Sequence, residues 1–428
     1  MDLFAYQDGS LHCEGVRVRD IAAAVGTPCY VYSRGTLVEH LRRVREAFAP
    51  VRPLICYSVK SCGNLSVCRE LVRHGAGMDV VSGGELHRAL AAGAPASAIV
   101  YAGVGKRDDE IAAALDAGIG LLNVESEEEF ENIARIAAAR GATCRCALRV
   151  NPDVDPRTHR FTTTGTKETK FGVDIERARS FFRRYGRDAH ARLVGLHLHI
   201  GSPVYETGPY VEAVRKALEL RDGLRAEGFP IDVLDIGGGF AADYETGRSP
   251  GAADYARAIL PLLETAVRGG MQVVLEPGRS IAANAGILLT RVQYVKRSGD
   301  KTFAICDAGM NALLRPSHYD AFHFIWPADP APGLVPSRRS KDPGLPGLVE
   351  VDVVGPLCET GDYLALERPM PPVRRGDLLA VFTAGAYGMS MASRYNSSPL
   401  PAEVMVRGDA FDVVRRRESI EDLLAHER

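Results

Sequence analysis

A lysine closes the apolar run in "CYSVKSCGN", Cys56 to Asn64, and a small polar loop follows it. An ammonium loses several kcal/mol of hydration on burial, so a lysine at a strand end calls for a partner or a chemical use. "HLHIGS" sets His197 and His199 two apart, which on a strand puts them on one side. A metal pair is one reading; it is the weaker, since no cysteine or further histidine stands nearby and no H-E-x-x-H spacing occurs. Ser202 follows a glycine and suits an anion contact. "DIGGGF" brings Gly237, Gly238 and Gly239 to the end of another run, where bare backbone N–H groups can approach a phosphate. Alone, three glycines are as easily a flexible turn. "LEPGRS" adds Glu276, Gly278 and Arg279; a carboxylate set against a heteroaromatic nitrogen would hold that nitrogen protonated. A lysine able to form an imine, a phosphate cradle and such a carboxylate together describe a pyridoxal phosphate site.

Those residues need a scaffold that gathers strand ends. From Pro53 onward eight short apolar runs alternate with amphipathic segments: "PLICYSV", "GMDVVS", "AIVYAG", "GLLNVE", "RCALRV", "LVGLHLHI", "VLDIGGG" and "QVVLEPG". Between them, "NLSVCRELVRHG", "GELHRALAAG" and "SEEEFENIARIAAARG" show helical three-and-four spacing, several closed by glycine. Strand–helix alternation implies a parallel sheet, and eight units over roughly 250 residues match a (β/α)8 TIM-type barrel. A doubly wound open sheet is the runner-up, but it wants a glycine-rich turn after its first strand and "KSCGN" supplies one glycine. In a barrel the chemistry collects at the C-terminal strand ends. Lys60, Asp79, His199, Gly237 to Gly239 and Glu276 to Arg279 all fall there.

After about Gly286 the texture becomes β-rich, with "GILLTRVQYVKRS", "KTFAICDAG", "GLVEVDVVGP", "DLLAVFTAG", "PAEVMVRG" and "AFDVVRRRES" separated by turn residues. A second, all-β domain (sandwich- or barrel-like) is expected, joined by the N-terminal segment with its β-like "PCYVYS". The division is then 34–286 for the barrel, and 1–33 with 287–428 for the β domain. "PADPAPGLVPSRRSKDPGLPG", Pro327 to Gly347, reads as a long exposed loop.

Composition agrees with a soluble protein of this size. Of 428 residues, 46% are hydrophobic and 25% charged, and Lys+Arg 52 against Asp+Glu 54 leaves a net charge of -2. No bulk charge favours nucleic acid or an anionic membrane, so charged ligands must be recognised locally. Nine scattered cysteines without a C-x-x-C pair fit a reduced, cytoplasmic chain, and no leader or membrane span is evident.

Motif by motif, the chain resembles the fold-type III pyridoxal phosphate decarboxylases, and within them the diaminopimelate decarboxylase family. The resemblance runs from about Tyr30 to Val406 through "YSVKSCGN", "MDVVSGGEL", "RVNPDVDPRTHRFTTTGTKETKFGV", "GLHLHIGS", "DIGGGF", "EPGRS", "LLRPSHYDAFH", "GPLCETGD" and "GAYGMSMASRYNSSPLPAEV". It implies a cofactor-bearing barrel, a β domain built from both chain ends, and a homodimer whose active sites lie between subunits.

By that resemblance Lys60 carries pyridoxal 5'-phosphate and Asp79 belongs to the cofactor's surroundings. His199 stacks on the ring, Glu276 faces its nitrogen, and Ser202, Gly237 to Gly239, Gly278, Arg279 and Tyr387 surround the phosphate. Cys358 and Glu359 reach in from the other subunit, Cys358 as a proton donor. Arg315 and Tyr319, with Arg279 and Tyr387, face the substrate; a guanidinium fork suits a distal carboxylate, and Glu359 a distal ammonium. The activity implied is decarboxylation of meso-2,6-diaminopimelate to L-lysine and CO2, with no metal. Decarboxylases of ornithine, lysine, arginine or a carrier-linked amino acid are the alternative, and a non-catalytic homologue a further one. "KSCGN" in place of "KANxN", and "HLHIGSP" in place of "HCHIGSQ", are departures that bear on the pocket rather than on cofactor binding.

Overall fold

The computed structural model describes residues 2–155 and 170–427. The central part of the motif "RVNPDVDPRTHRFTTTGTKETKFGV" therefore lies outside the described residues. The chain divides into two compact units, residues 40–241 with 250–279, and residues 1–39 with 242–249 and 280–428.

In the first unit all eight expected runs are strands: Leu54–Ser58, Gly77–Val80, Ile99–Tyr101, Leu121–Val124, Cys144–Asn151, Ala191–His197, Val233–Asp235 and Gln272–Leu275. Each pairs in parallel with the next. The last returns to the first through Val274 opposite Leu54 and Leu275 opposite Ile55, closing the barrel. Every strand is buried along most of its length, as a parallel sheet covered on both faces requires. Cys56, Val100, Leu121, Ala147, Val194, Val233 and Val274, one from each of seven strands, pack as a core cluster.

Several of the intervening helices begin on side-chain caps. Asn64 accepts from Ser66 N at the head of Leu65–Arg73, Ser82 from Glu85 N at Gly83–Ala91, and Ser126 from Glu129 N at Glu127–Ala139. These caps satisfy orphan N–H groups just beyond strand ends, so those three strand-to-helix loops are held at the rim where the reactive side chains emerge.

The second unit is mostly sheet. Its strands run in the order Tyr363–Met370, Val349–Val354, Lys301–Cys306, Gly286–Ser298, Cys29–Ser33, Ala402–Arg407, Ala410–Arg415, with Leu378–Val381 also on Gly286–Ser298 and Ile325–Pro327 beyond it. Cys29–Ser33, within the expected "PCYVYS", lies antiparallel to Gly286–Ser298 and parallel to Ala402–Arg407, so both chain ends build this sheet. A small antiparallel sheet of Phe4–Gln7, Ser10–Cys13 and Val16–Arg17 precedes the helix Val18–Val25. The stretch after Ile325–Pro327 carries no regular element until Val349 but is tied down. Trp326 donates to Leu334 O at 2.8 Å, and Arg339 holds Asp2 in a two-pronged pair at 2.5 and 2.9 Å and stacks on Phe382. Among the described residues no helix is long and apolar enough to cross a membrane.

Candidate active site

Strand ends of the barrel deliver the expected residues to one rim. The strand Leu54–Ser58 runs into a single 3-10 turn, Val59–Ser61, which turns Lys60 off the strand axis. Its Nζ donates to Asp79 Oδ2 at 2.8 Å, and Ser58 Oγ donates to the same oxygen at 2.6 Å. The Lys60 side chain remains 35% exposed while Asp79 is fully buried, so the amine is both held and reachable. Burial, and then the Glu276 charge, push the Asp79 carboxyl up; Lys60 and Ser58 pull against them.

Glu276 follows the strand Gln272–Leu275 and is itself buried. Burial alone would raise its pKa, but His197 and then Lys60 outweigh that and hold it well below the usual carboxylate range. Asp235 is its counterpart. Burial and the neighbouring Glu276 charge push Asp235 far up, so one buried carboxyl keeps its proton while the other is ionised. Asn123 Nδ2 lies 3.3 Å from both Asp235 Oδ2 and Glu276 Oε1, bridging the two. His197 Nε2 lies 3.5 Å from Glu276 Oε2.

His197, Asp235 and Glu276 bring one donor atom each within 4.8 Å. Asn123 bridges two of the three, Asp235 and Glu276. The two histidines do not converge. His199 turns to the glycine loop, its Nδ1 accepting from Gly238 N at 3.3 Å. Burial, then the cations of Arg149 and Lys60, keep the His199 imidazole neutral, while part of its ring surface remains exposed.

The three glycines are a close-packed turn. Gly237 and Gly239 have φ of +70 and +93, and a Cβ on either would sit 2.2 Å from a backbone oxygen, of Leu198 and Gly201 respectively. Only glycine lets the chain pass there. Tyr210 braces the loop by donating to Gly238 O at 2.7 Å. Gly278 is also close-packed, with Ser58 Cβ 2.9 Å from its would-be Cβ. Arg279 Nε donates to Ser202 Oγ at 3.1 Å, joining a guanidinium and a hydroxyl from two strand ends. A reachable amine, an ionised carboxylate, a neutral flat imidazole and a glycine turn beside Arg279 and Ser202 are the groups a pyridoxal phosphate needs, and they fit it.

The remaining expected residues lie in the second unit. Arg315 and Tyr319 bound the short helix Arg315–Tyr319. Arg315 is buried, its Nη1 2.8 Å from His323 Nε2 and its guanidinium over the Tyr244 ring; His323 Nδ1 faces Phe382 O at 2.9 Å, which fixes the ring. Tyr387 follows the strand Leu378–Val381 with φ of +56, a costly conformation for a tyrosine. Cys358 and Glu359 are exposed on the turn between Val349–Val354 and Tyr363–Met370.

Several residues of the same network escaped the sequence reading. Asn123, Asp235 and the buried pair Arg149–Glu125, at 2.9 Å, sit inside apolar runs taken for plain strands. Lys106 is 1% exposed and donates to Glu129 Oε1 and to the carbonyls of Gly103 and Asn123 at 2.7 to 2.8 Å. In the second unit buried Asp362 accepts from Met310 N and Leu357 N and so shapes the turn bearing Cys358. The available signal was a polar residue closing an apolar run, as in "LLNVE" and "ALRVN".

Residues 34–283 match the family model described as the pyridoxal binding domain of pyridoxal-dependent decarboxylases. The chain is 45% identical to a diaminopimelate decarboxylase of Aquifex aeolicus, over 97% of this chain and 94% of that one. It is 44% identical to one of Pseudomonas aeruginosa, over 100% and 99%. The crystal structure of diaminopimelate decarboxylase from Helicobacter pylori complexed with L-lysine superposes with a TM-score of 0.88 at 38% identity, covering 96% of this chain and 99% of that one. With a family model spanning more than half its length and full-length relatives at this identity, the chain belongs to the pyridoxal-dependent decarboxylases, in the diaminopimelate decarboxylase family.

Proposed function

We propose that this protein decarboxylates meso-2,6-diaminopimelate to L-lysine and CO2, using pyridoxal 5'-phosphate on Lys60. The observation that carries the reading is the rim set of Lys60 on Asp79 with Glu276 ionised beside His197. The relatives named for this reaction, and the L-lysine in the Helicobacter pylori complex, support it.

When bound, the cofactor supplies an electron sink for the pair that departing CO2 leaves behind. Lys60 anchors it through Nζ, with Asp79 orienting that atom. Ionised Glu276 keeps a proton on a facing ring nitrogen, because a negative charge in a dry site stabilises the cation strongly. The neutral His199 imidazole offers a flat face for the ring. Ser202, Gly237 to Gly239, Gly278 and Arg279, with Tyr387, bind the phosphate. Arg315, its plane fixed by His323 and Tyr244, and Tyr319 hold the substrate's distal carboxylate; Glu359 pairs with its distal ammonium. Cys358 delivers a proton to the carbon that lost CO2.

In this reading residues 34–286 form the cofactor-binding barrel, and 1–33 with 287–428 the β domain. The protein is a cytoplasmic homodimer in which Cys358 and Glu359 serve the partner's site, an arrangement that gives these exposed residues a purpose. Nine free cysteines suit a reducing compartment. Purified protein given pyridoxal phosphate and meso-2,6-diaminopimelate should release CO2 and lysine in equal amounts. Failure to release CO2 would overturn the proposal.

A further inference from the structure

The turn that carries Cys358 and Glu359 faces a second segment whose shape the proposed chemistry leaves unexplained. Residues 393–400 are exposed over most of their length, yet they are pinned at both ends. Ser393 N donates to Asn311 O at 2.9 Å. Arg394 grips Glu418 with two prongs at 2.7 and 3.0 Å, and Leu400 N donates to the same carboxylate at 3.1 Å. Between these anchors Asn396 and Ser397 both adopt left-handed backbone, with φ of +54 and +53. Two successive non-glycine residues in that region are unfavourable, and an exposed loop has no packing reason to keep them there.

The result of that backbone is a paired contact. Tyr395 OH donates to Glu359 Oε2 at 3.0 Å, and Asn396 Nδ2 donates to Cys358 Sγ at 3.2 Å. Two adjacent side chains of one segment thus meet two adjacent side chains of the other. The facing turn is equally constrained: Asp362 N donates to Glu359 O at 3.1 Å, and Leu357 N to Asp362 Oδ2 at 2.7 Å. Exposed side-chain bonds contribute little to folding, so two rigid segments meeting through them serve orientation rather than stability.

We propose that Asn396 and Tyr395 are positioning residues: Asn396 aims and polarises the Cys358 sulfur for proton delivery, and Tyr395 fixes Glu359 for the substrate's distal ammonium. The assignment rests on the roles given to Cys358 and Glu359 above. It separates two kinetic effects that a structural role would move together. Losing Asn396 touches the proton step, and losing the Tyr395 hydroxyl touches binding.

The test uses Asn396→Gly, which tolerates the left-handed backbone, Asn396→Asp, which keeps size but loses the donor, and Tyr395→Phe. In protein without cofactor, alkylation of Cys358 by iodoacetamide is followed by peptide mass spectrometry. The other eight cysteines are buried or half-buried. Because Asn396 Nδ2 holds the Cys358 sulfur in one orientation, both Asn396 variants should change the alkylation rate at least about threefold, and Tyr395→Phe should leave it at the wild-type rate. With cofactor and meso-2,6-diaminopimelate, the Asn396 variants should lose about tenfold in kcat with KM nearly unchanged. Tyr395→Phe should raise KM about tenfold with kcat nearly unchanged. Wild-type alkylation rates in the Asn396 variants, or kcat and KM moving together in both kinds of variant, would overturn the inference. If wild-type protein releases no CO2, the proposed function fails, and the alkylation rates alone decide this one.

Discussion

Burial has sorted the charges around Lys60 before any ligand arrives. Of two neighbouring buried carboxyls, Glu276 is ionised because His197 and Lys60 outweigh burial, while Asp235 keeps its proton. Lys60 is the reachable cation of that set. Borohydride reduction of protein mixed with one equivalent of pyridoxal phosphate should therefore place the label on the peptide containing Lys60, read by mass spectrometry, and Lys60→Ala should lose it. Label on another lysine would contradict the assignment. Lys60, the glycines, Glu276 and Arg279 were legible in the sequence because each closes an apolar run with a residue whose chemistry is unusual there. Asn123 and Asp235 were not, because their meaning arises only when distant strands bring them within hydrogen-bond reach across the closed barrel.

At the scale of elements, caps hold the rim. The helix Gly83–Ala91 starts on a reciprocal pair: Glu85 N donates to Ser82 Oγ at 3.2 Å, and Val81 N donates to Glu85 Oε2 at 2.9 Å. The Glu85 carboxyl is pushed from 4.5 up to about 7, chiefly by burial. A folded-state pKa above the unfolded one means the folded chain binds the proton more tightly. This group's contribution is therefore fully present below 4.5 and is lost as pH rises to about 7. Glu85→Gln keeps an acceptor for Val81 N–H without a charge to bury. Its melting temperature should gain on wild type more at pH 8 than at pH 5; an equal difference at both would refute the burial argument. The long β/α alternation was readable from its two periods. The helix Val18–Val25 was not, since its buried Val18, Ile21 and Ala22 make one stripe of two turns, too short to stand out. Tyr363–Met370 was missed because register shifts against Val349–Val354, with Glu367 at positive φ, break its alternation.

For the whole molecule, the barrel could be inferred from counting units, but not the sheet of the second unit. There Cys29–Ser33 sits between strands that begin more than 250 and 370 positions later, a pairing no local pattern encodes. The homodimer proposal belongs to this scale. Inactive Lys60→Ala and Cys358→Ala chains, mixed after dissociation and reassociated, should recover activity, with about half the dimers mixed and roughly a quarter of the sites intact. A mixture that stays inactive although mixed dimers form would place both residues in one chain's site.

The most direct test of the central claim compares kcat/KM for CO2 release from meso-2,6-diaminopimelate and from lysine. The two substrates differ by the distal carboxylate that Arg315 is assigned to hold, and a charged two-pronged bond is worth roughly 2–3 kcal/mol, or about 100-fold. The account predicts a preference of that order for diaminopimelate in wild type, largely abolished in Arg315→Lys, where a point charge replaces the fork. Lysine turned over as efficiently as diaminopimelate by the wild-type protein would contradict it.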